Sequence, residues 1–246
     1  MRTIFVITLK ELRSYFFSLT GYVIWSLFLL IEGFVFWFLL NAFSNPQNSF
    51  NEPISHFFFG TFYYWFLLLI IPPLLTMRSL AEEYKSGTID LLSSAPITEA
   101  QIIMAKFFAA FIFFSFMWCS TLFYFYLIEP HTELDWMRII NGYLGTFLVS
   151  GLFISVGIFA SSISTSQIVS AIIAFAFALL LFSFGFIEYF ISSPIFSGVL
   201  KYCNIMDSTI RFGQGIFDTR PVIFFLSLTV LFLNMSVAVL DSRRWR

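Results

Sequence analysis

The sequence contains little charge. Only 11% of its 246 residues are Asp, Glu, Lys or Arg, whereas 59% are hydrophobic. A soluble domain of this length is normally about one quarter charged and less than half apolar. The composition therefore excludes an ordinary soluble enzyme and points to a membrane protein. The net charge of −1 gives no reason to expect a nucleic-acid partner.

Cysteine and histidine are also scarce. Of the two cysteines, Cys119 lies inside an apolar run and Cys203 in a connecting segment, so they predict no disulfide framework. The two histidines, His56 and His131, stand alone and predict no metal site. None of the twelve glycines begins the G-x-x-x-x-G-K-[ST] pattern of a phosphate-binding loop. The sequence therefore predicts no enzymatic activity, no catalytic residue and no cofactor in this chain.

Long apolar runs rich in phenylalanine are abundant, with 37 Phe in the chain. A membrane-spanning helix needs about 20 mostly apolar residues. Six stretches qualify: residues 21–40, 57–77, 107–128, 139–161, 168–191 and 222–240. They lack the two-residue alternation of barrel strands, so they predict an all-α protein with six transmembrane helices. Residues 1–246 are expected to form one membrane domain.

The distribution of Lys and Arg predicts the orientation. Nine flank one side of the spans: Arg2, Lys10, Arg13, Arg78, Lys85, Lys106, Arg243, Arg244 and Arg246. Four fall on the other side: Arg138, Lys201, Arg211 and Arg220. The positive-inside rule then places both termini and residues 78–106 in the cytoplasm.

Two segments outside the spans have distinctive patterns. Within residues 1–20, Phe5, Leu9, Leu12 and Phe16 fall on one helical face, which predicts an amphipathic helix in the membrane interface. The alternative is a simple extension of the first span. Residues 192–220 form a long external segment with short apolar patches. They predict either short helices that dip back into the outer leaflet as a gate, or an ordinary loop.

The segment of residues 78–106 is the most polar part of the chain. Gly87 is expected to interrupt a helix, Pro96 to end a short one, and Thr98 with Gln101 to form a capping box. Charged residues stand beside apolar ones here: Glu82, Glu83, Lys85 and Asp90 next to Ile89, Leu91 and Leu92. Charge around apolar anchors is typical of a docking surface. The alternative is a solvated loop with its apolar residues folded onto the bilayer.

Several short motifs carry a family resemblance. Between the second and third spans they are Met77-Arg78-Ser79, Glu83, Gly87-Thr88, Leu91-Leu92, Pro96, Gln101-Ile102 and Lys106-Phe107. Further along they are Gly157, Ser161, Ser164, Gln167-Ile168-Val169, Asp207-Ser208, Asp218-Thr219-Arg220, Phe225-Leu226-Ser227 and Ser242-Arg243-Arg244-Trp245. In these motifs the sequence resembles the permease subunits of type 2 ABC exporters. Within that family the sequence most resembles the branch that includes the gliding-motility permease GldF and, more distantly, the nitrous-oxide-reductase maturation permease NosY.

The resemblance implies a role for each polar segment. Residues 78–106 would carry a coupling helix that docks on a separate ATPase subunit, which binds ATP and Mg²⁺. The docking residues would be Glu82, Glu83, Lys85, Gly87, Thr88, Ile89, Asp90, Leu91, Leu92 and Pro96. The first helix would be interfacial, and short re-entrant helices would precede the last span. Candidates for the outer gate are Asp207, Gly215, Asp218 and Arg220.

The function implied is that of an exporter permease in the bacterial cytoplasmic membrane. Two six-span subunits, identical or paralogous, would form the pathway. Two other functions stay open from the sequence: a scaffold or assembly component of a motility or maturation machine, and an ATP-independent secondary transporter. The latter would need ion-coupling polar residues near the midplane.

Glu32 is the one acidic residue near the middle of the first span, where a charge is costly. No Lys or Arg stands at a matching depth, so the carboxyl is expected to favour its neutral form. It could line the pathway or a subunit seam and take part in proton-linked gating. It could instead be a protonated carboxyl, hydrogen-bonded to a Ser, a Thr or a backbone carbonyl of a neighbouring helix.

Overall fold

The computed structural model describes residues 2–44, 58–87, 97–131, 134–187 and 204–244. Within these ranges the regular structure is helical. The α-helices are α1 (Arg2–Phe16), α2 (Leu19–Ser44), α3 (Phe62–Thr76), α4 (Ala81–Ser86), α5 (Glu99–Cys119), α6 (Leu122–Ile128), α7 (Trp136–Ile163), α8 (Gln167–Ile187), α9 (Ile205–Gly213) and α10 (Thr219–Arg244). A 3₁₀ turn, Glu129–His131, follows α6.

Six stretches of the described chain are long and apolar enough to cross a membrane. They are Leu19–Ala42, Phe62–Ser86, Glu99–Ile128, Trp136–Ile163, Gln167–Gly185 and Thr219–Arg243. The prediction of an all-α chain with six spanning helices is confirmed at this level. The second and third stretches are each interrupted, because a turn separates α3 from α4 and another separates α5 from α6.

Polar caps set the starts of several helices. The predicted capping box is present: Thr98 Oγ1 accepts from the backbone N–H of Gln101 at 3.4 Å, and Gln101 Oε1 accepts from the N–H of Thr98 at 3.4 Å. Asp135 caps α7 in the same way, accepting from the N–H of Met137 at 3.1 Å. Such caps satisfy backbone donors that have no partner inside the helix.

Helix α7 is the centre of the bundle and contacts α3, α5, α8, α9 and α10. In its apolar stretch 83% of residues are buried, against 28%, 22% and 28% for α2, α8 and α10. The outer helices expose large side chains such as Leu30, Trp37 and Ile172. This arrangement, with apolar faces left uncovered outside a packed centre, is that of a multi-pass membrane protein.

The two ends of α7 define two ends of the bundle. Helix α4 packs near Ser161, in the last turn of α7, whereas α9 packs near Gly145 in its first half. We refer to these as the α4 end and the α9 end. The sequence placed residues 78–106 and residues 192–220 on opposite sides of the membrane, and the described parts of both segments do lie at opposite ends.

Helix α3 continues through Pro72 and Pro73 and ends at Thr76. Its last turn lies against α7 so closely that a Cβ on Gly157 would be 1.9 Å from Thr76 Oγ1. The Thr76 hydroxyl itself donates to the carbonyl of Pro72 at 2.7 Å. The absence of a side chain at Gly157 therefore permits this close approach of α3 to α7.

We expect Gly157→Ala to destabilise the bundle because the added methyl group collides with Thr76. Overpacking of this kind costs about 1–3 kcal/mol. Gly151→Ala, on the same helix, is the matched control, since its Cβ would make only ordinary van der Waals contacts, with Phe111 at 3.6 Å and Phe107 at 3.9 Å. Chemical unfolding of the purified protein in detergent measures both changes. Equal stability of the two variants would contradict the close approach.

Candidate functional site

A buried lysine joins three helices at the α4 end. Lys106 in α5 is 3% exposed, and its ammonium contacts Glu83 of α4 at 2.8 Å and Glu11 of α1 at 3.3 Å. We call these three residues the Lys106 cluster. A buried ammonium is costly unless carboxylates pair with it, so the cluster fixes α1 and α4 relative to α5.

Ser161 of α7 caps the start of α4 from outside that helix. Its hydroxyl oxygen accepts from the backbone N–H groups of Leu80 at 2.9 Å and Ala81 at 3.0 Å. The hydroxyl also lies 3.5 Å from the carbonyl oxygen of Met77, to which it donates. Leu80 is the N-cap residue of α4, and its own side chain makes no capping hydrogen bond. One serine on the central helix therefore satisfies the backbone donors that open α4.

The other side of α4 contacts the last helix. The guanidinium of Arg243 lies 4.4 Å from the centre of the Tyr84 ring, in the range of a cation–π contact. The same guanidinium donates to the carbonyl of Ile163 at the end of α7. Helix α4 has only six residues and could not be stable alone. Contacts from α5, α7, α8 and α10 hold it in place, and α1 shares the Lys106 ammonium with it.

The predicted docking residues divide into three groups. Glu82, Lys85 and Gly87 are exposed, as expected for a surface open to a partner. The expected exposure of Glu83 is wrong, because its carboxylate turns inward to Lys106. The others lie outside the described residues: Thr88, Ile89, Asp90, Leu91, Leu92 and Pro96.

Gly87 ends α4 in the left-handed conformation, with φ of +69°. Glycine adopts this conformation without the steric cost that a Cβ imposes. The predicted interruption of the helix at Gly87 is therefore confirmed, and the chain turns away from α4 at this residue.

Sequence reasoning missed the partners of α4. It treated Lys106 as one of several positive residues at the membrane surface, and it assigned no contact to Ser161 or Arg243. One signal was available for Lys106, which stands inside an apolar run next to Ala105 and Phe107. The identity of its partners could not be read from the sequence, because Glu11 and Glu83 are 95 and 23 residues away.

Glu32 lies on the buried face of α2. Buried residues recur along this helix at Phe28, Glu32, Val35, Phe36 and Leu39, at spacings that place them on one face. The Glu32 side chain is 2% exposed. Its carboxyl therefore faces other helices of the same chain, which argues against a position directly on a seam between subunits.

The buried face of α2 packs on α5 and α6. The ring of Phe28 lies 5.0 Å from Trp118, and the ring of Phe36 lies 5.0 Å from Tyr124. Glu32 lies between these contacts along the helix, near the turn that separates α5 from α6. At that turn the hydroxyls of Thr121 and Tyr143 are hydrogen-bonded at 2.6 Å.

The carboxyl of Glu32 is close to several hydroxyl groups. It interacts electrostatically with the phenols of Tyr64, Tyr124 and Tyr143. Among the described residues, however, Glu32 Oε1 has no hydrogen-bond partner. The hydrogen bond expected for a buried neutral carboxyl is therefore not formed at this oxygen.

The candidate gate residues lie around α9. Asp207 pairs with Arg211 at 2.9 Å on the exposed side of this short helix, and Asp218 accepts from the backbone N–H of Arg220 at 3.0 Å. Gly215 has φ of +85°, and its carbonyl accepts from Asn141 at 3.3 Å. A short helix before the last span is thus present, and its buried side, with Phe212, packs on α7.

Comparison with protein families gives one match. The model described as ABC-2 family transporter protein matches residues 21–185, about two thirds of the chain. The match covers α2 to α8, including α4 and the Ser161 cap, except for the first two residues of α2 and the last two of α8. Comparison with curated proteins gives no match.

We expect Lys106→Met to lower the free energy of unfolding by about 2–3 kcal/mol, because two partly buried carboxylates would be left without their cation. Lys85→Met is the control: Lys85 is exposed, and such surface changes usually stay within about 0.5 kcal/mol. Adding Glu11→Gln and Glu83→Gln to Lys106→Met should restore much of the loss. A loss that the two added changes leave untouched would show that packing, and not charge, matters at Lys106.

We expect Glu32→Gln to keep the fold, because the amide has the shape of the carboxyl and carries no charge. Its free energy of unfolding should stay within about 1 kcal/mol of the native value. Glu32→Lys should cost at least about 2.5 kcal/mol, since it places a cation near the middle of a span. Unfolding in detergent distinguishes them. A Gln variant as unstable as the Lys variant would mean that the site requires an ionised carboxylate.

Proposed function

The chain belongs to the ABC-2 family of transporter proteins, and on that basis we propose that it is the membrane subunit of an ABC exporter driven by a separate ATPase. The family match over α2 to α8 and the six spanning helices support a permease component. Members of this family generally work with an ATPase subunit. In this proposal ATP and Mg²⁺ bind to that subunit, and two six-span subunits, identical or paralogous, form the pathway.

The single observation that carries the coupling role is the way α4 is held. Residues 78–106 act as the coupling segment, and α4 is the part of this segment that packs on the helix bundle. Helix α4 is connected to four other helices by the Lys106 cluster, the Ser161 cap and the Arg243–Tyr84 contact. A displacement of the segment by an ATPase would therefore be passed directly to the spans.

The orientation follows in the same proposal. The α4 end faces the cytoplasm, as do both termini, and the α9 end faces outward, in the bacterial cytoplasmic membrane. Helix α1 lies in the membrane interface, because Phe5, Val6 and Leu9 are exposed while Thr8 is buried against α5. The uncovered faces of α2, α8 and α10 leave room for lipid and for the second subunit.

The α9 end would form the outer gate. Helix α9 and the turn at Gly215 rest on the first turns of α7, which also carry Arg138. In the proposal α9 is a re-entrant element at the outer leaflet, and Asp207, Asp218 and Arg220 lie at its rim. An assembly role in a motility machine, as in the GldF branch, would use the same coupling without moving a bulk substrate.

The proposal is tested by producing the chain with candidate ATPase subunits and isolating the complex through the chain. Lys85→Glu and Ile89→Asp should each lower the amount of co-purified ATPase about tenfold or more, because they change the rim and an anchor of the docking surface. Glu83 is not suitable for this test, since its change would disrupt the Lys106 cluster.

Asp241→Lys is the control for that experiment, because Asp241 is exposed at the same end but lies outside the coupling segment. It should leave ATPase recovery unchanged. Vanadate-sensitive ATP hydrolysis by the intact complex gives a second readout. A native chain that recruits none of the tested ATPases, or an Asp241→Lys variant that loses as much ATPase as Lys85→Glu, would contradict the proposal.

A further inference from the structure

An amphipathic cleft lies at the α4 end, between α1, the start of α2 and the turn from α3 to α4. Its volume is about 480 Å³. One part of its lining is polar and includes Ser14, Arg78 and Glu82, and the other is apolar and includes Val23 and Leu74. The apolar part belongs to the first turns of α2 and the last turn of α3. The cleft therefore crosses the level at which these spans leave the hydrocarbon.

The walls of the cleft are fixed by hydrogen bonds. Tyr15 donates its hydroxyl to the carbonyl of Leu75 at 2.9 Å, which ties α1 to α3. Burial, and then the nearby charge of Glu11, raise the pKa of Tyr15, so that the phenol keeps its proton at neutral pH. Ser18 accepts from the backbone N–H of Gly21 at 3.0 Å and holds the elbow between α1 and α2.

Gly21 allows this elbow to close. A Cβ at this position would be 2.1 Å from the carbonyl oxygen of Tyr15. Only glycine therefore permits the backbone of α2 to approach the end of α1 this closely. The cleft is thus a preformed feature of the chain, with walls from α1, the start of α2 and the turn from α3 to α4.

Two opposite charges line the cleft. Arg78 and Glu82 are both exposed, and neither forms an ion pair with another residue in the described part of the chain. Glu11 also lines the cleft, but Lys106 already pairs with it. The charges available to a ligand are therefore one guanidinium and one carboxylate.

We infer that this cleft binds the headgroup of a zwitterionic phospholipid with a primary ammonium, of the phosphatidylethanolamine class. The guanidinium of Arg78 suits the phosphate, because its planar set of N–H donors binds phosphate oxygens in pairs. Glu82 accepts from the ammonium. The first part of an acyl chain lies along Val23 and Leu74. A lipid fits better than a soluble zwitterion, because a soluble ligand would leave this apolar wall uncovered.

The proposed site would make the position of α4 depend on bound lipid. The inference does not depend on the proposed ATPase partner. Arg78 lies in the turn that precedes α4, and Glu82 belongs to the first turn of α4. A bound headgroup would therefore contact the same short helix that the Lys106 cluster holds. The lipid would be a fourth partner that stabilises the position of α4.

Native mass spectrometry of the purified full chain tests the inference. The chain is titrated with palmitoyl-oleoyl phosphatidylethanolamine, and separately with the phosphatidylglycerol and phosphatidylcholine of the same acyl chains. We expect the native chain to retain the ethanolamine lipid in preference to both others. Arg78→Ala should weaken its binding about tenfold or more, since a hydrogen-bonded charge pair is lost.

Two further variants make the result specific. Glu82→Gln should remove the preference for the ethanolamine lipid over phosphatidylglycerol, because the partner of the ammonium is lost. Arg13→Ala should change nothing, since Arg13 is exposed near the same elbow but does not line the cleft. The thermal unfolding of all variants in detergent shows that the fold is kept.

Three outcomes would overturn the inference. Unchanged ethanolamine-lipid binding in Arg78→Ala is one, and an equal loss in Arg13→Ala, which would indicate general attraction to charged interfaces, is another. The third is displacement of the lipid by inorganic phosphate alone, which would assign the cleft to a free anion. Binding of the ethanolamine lipid that is weakened in Arg78→Ala and kept in Arg13→Ala, with a headgroup preference lost in Glu82→Gln, would support it.

Discussion

The pairing of one buried ammonium is the interaction on which the α4 end of this protein depends. Lys106 cannot be left without carboxylates in its apolar surroundings, and the described chain supplies Glu11 and Glu83. These residues belong to three helices that are far apart in the sequence. Moving Lys106 away from both carboxylates would leave a buried ammonium unpaired, which is costly. The pairing therefore favours a fixed arrangement of the three helices.

This constraint explains how a six-residue helix can serve in a transporter of the ABC-2 family. Helix α4 has little stability of its own, and it gains a fixed position from Lys106, from Ser161 and from Arg243. Each contact uses a polar or charged group at the edge of the apolar bundle. Helix α4 is thus firmly joined to the spans, while Glu82 and Lys85 stay exposed on its outer side.

Polar groups inside the bundle follow a different rule. Glu32 lies among tyrosine and threonine hydroxyls and has no counter-charge nearby in the described chain. Hydroxyl pairs such as Thr121 with Tyr143, and Tyr64 with Thr146 at 2.9 Å, satisfy each other across helices. These hydroxyls therefore pair with one another inside the bundle, whereas the buried cation Lys106 lies where two carboxylates reach it, at the α4 end.

The sequence by itself determined the class of the protein, the six spans and the residues at which individual helices begin and end. Apolar runs of about 20 residues can be accommodated only as helices in a membrane, the Thr98–Gln101 box needs only neighbours in the chain, and Gly87 can turn left-handed wherever it stands. Only the tertiary structure decided that Glu83 turns inward, that Ser161 caps a helix 80 residues away, and that Arg78 and Glu82 share a cleft. The physical reason is that periodicity fixes which face of a helix is apolar, whereas the partner of a buried charge depends on how distant helices pack.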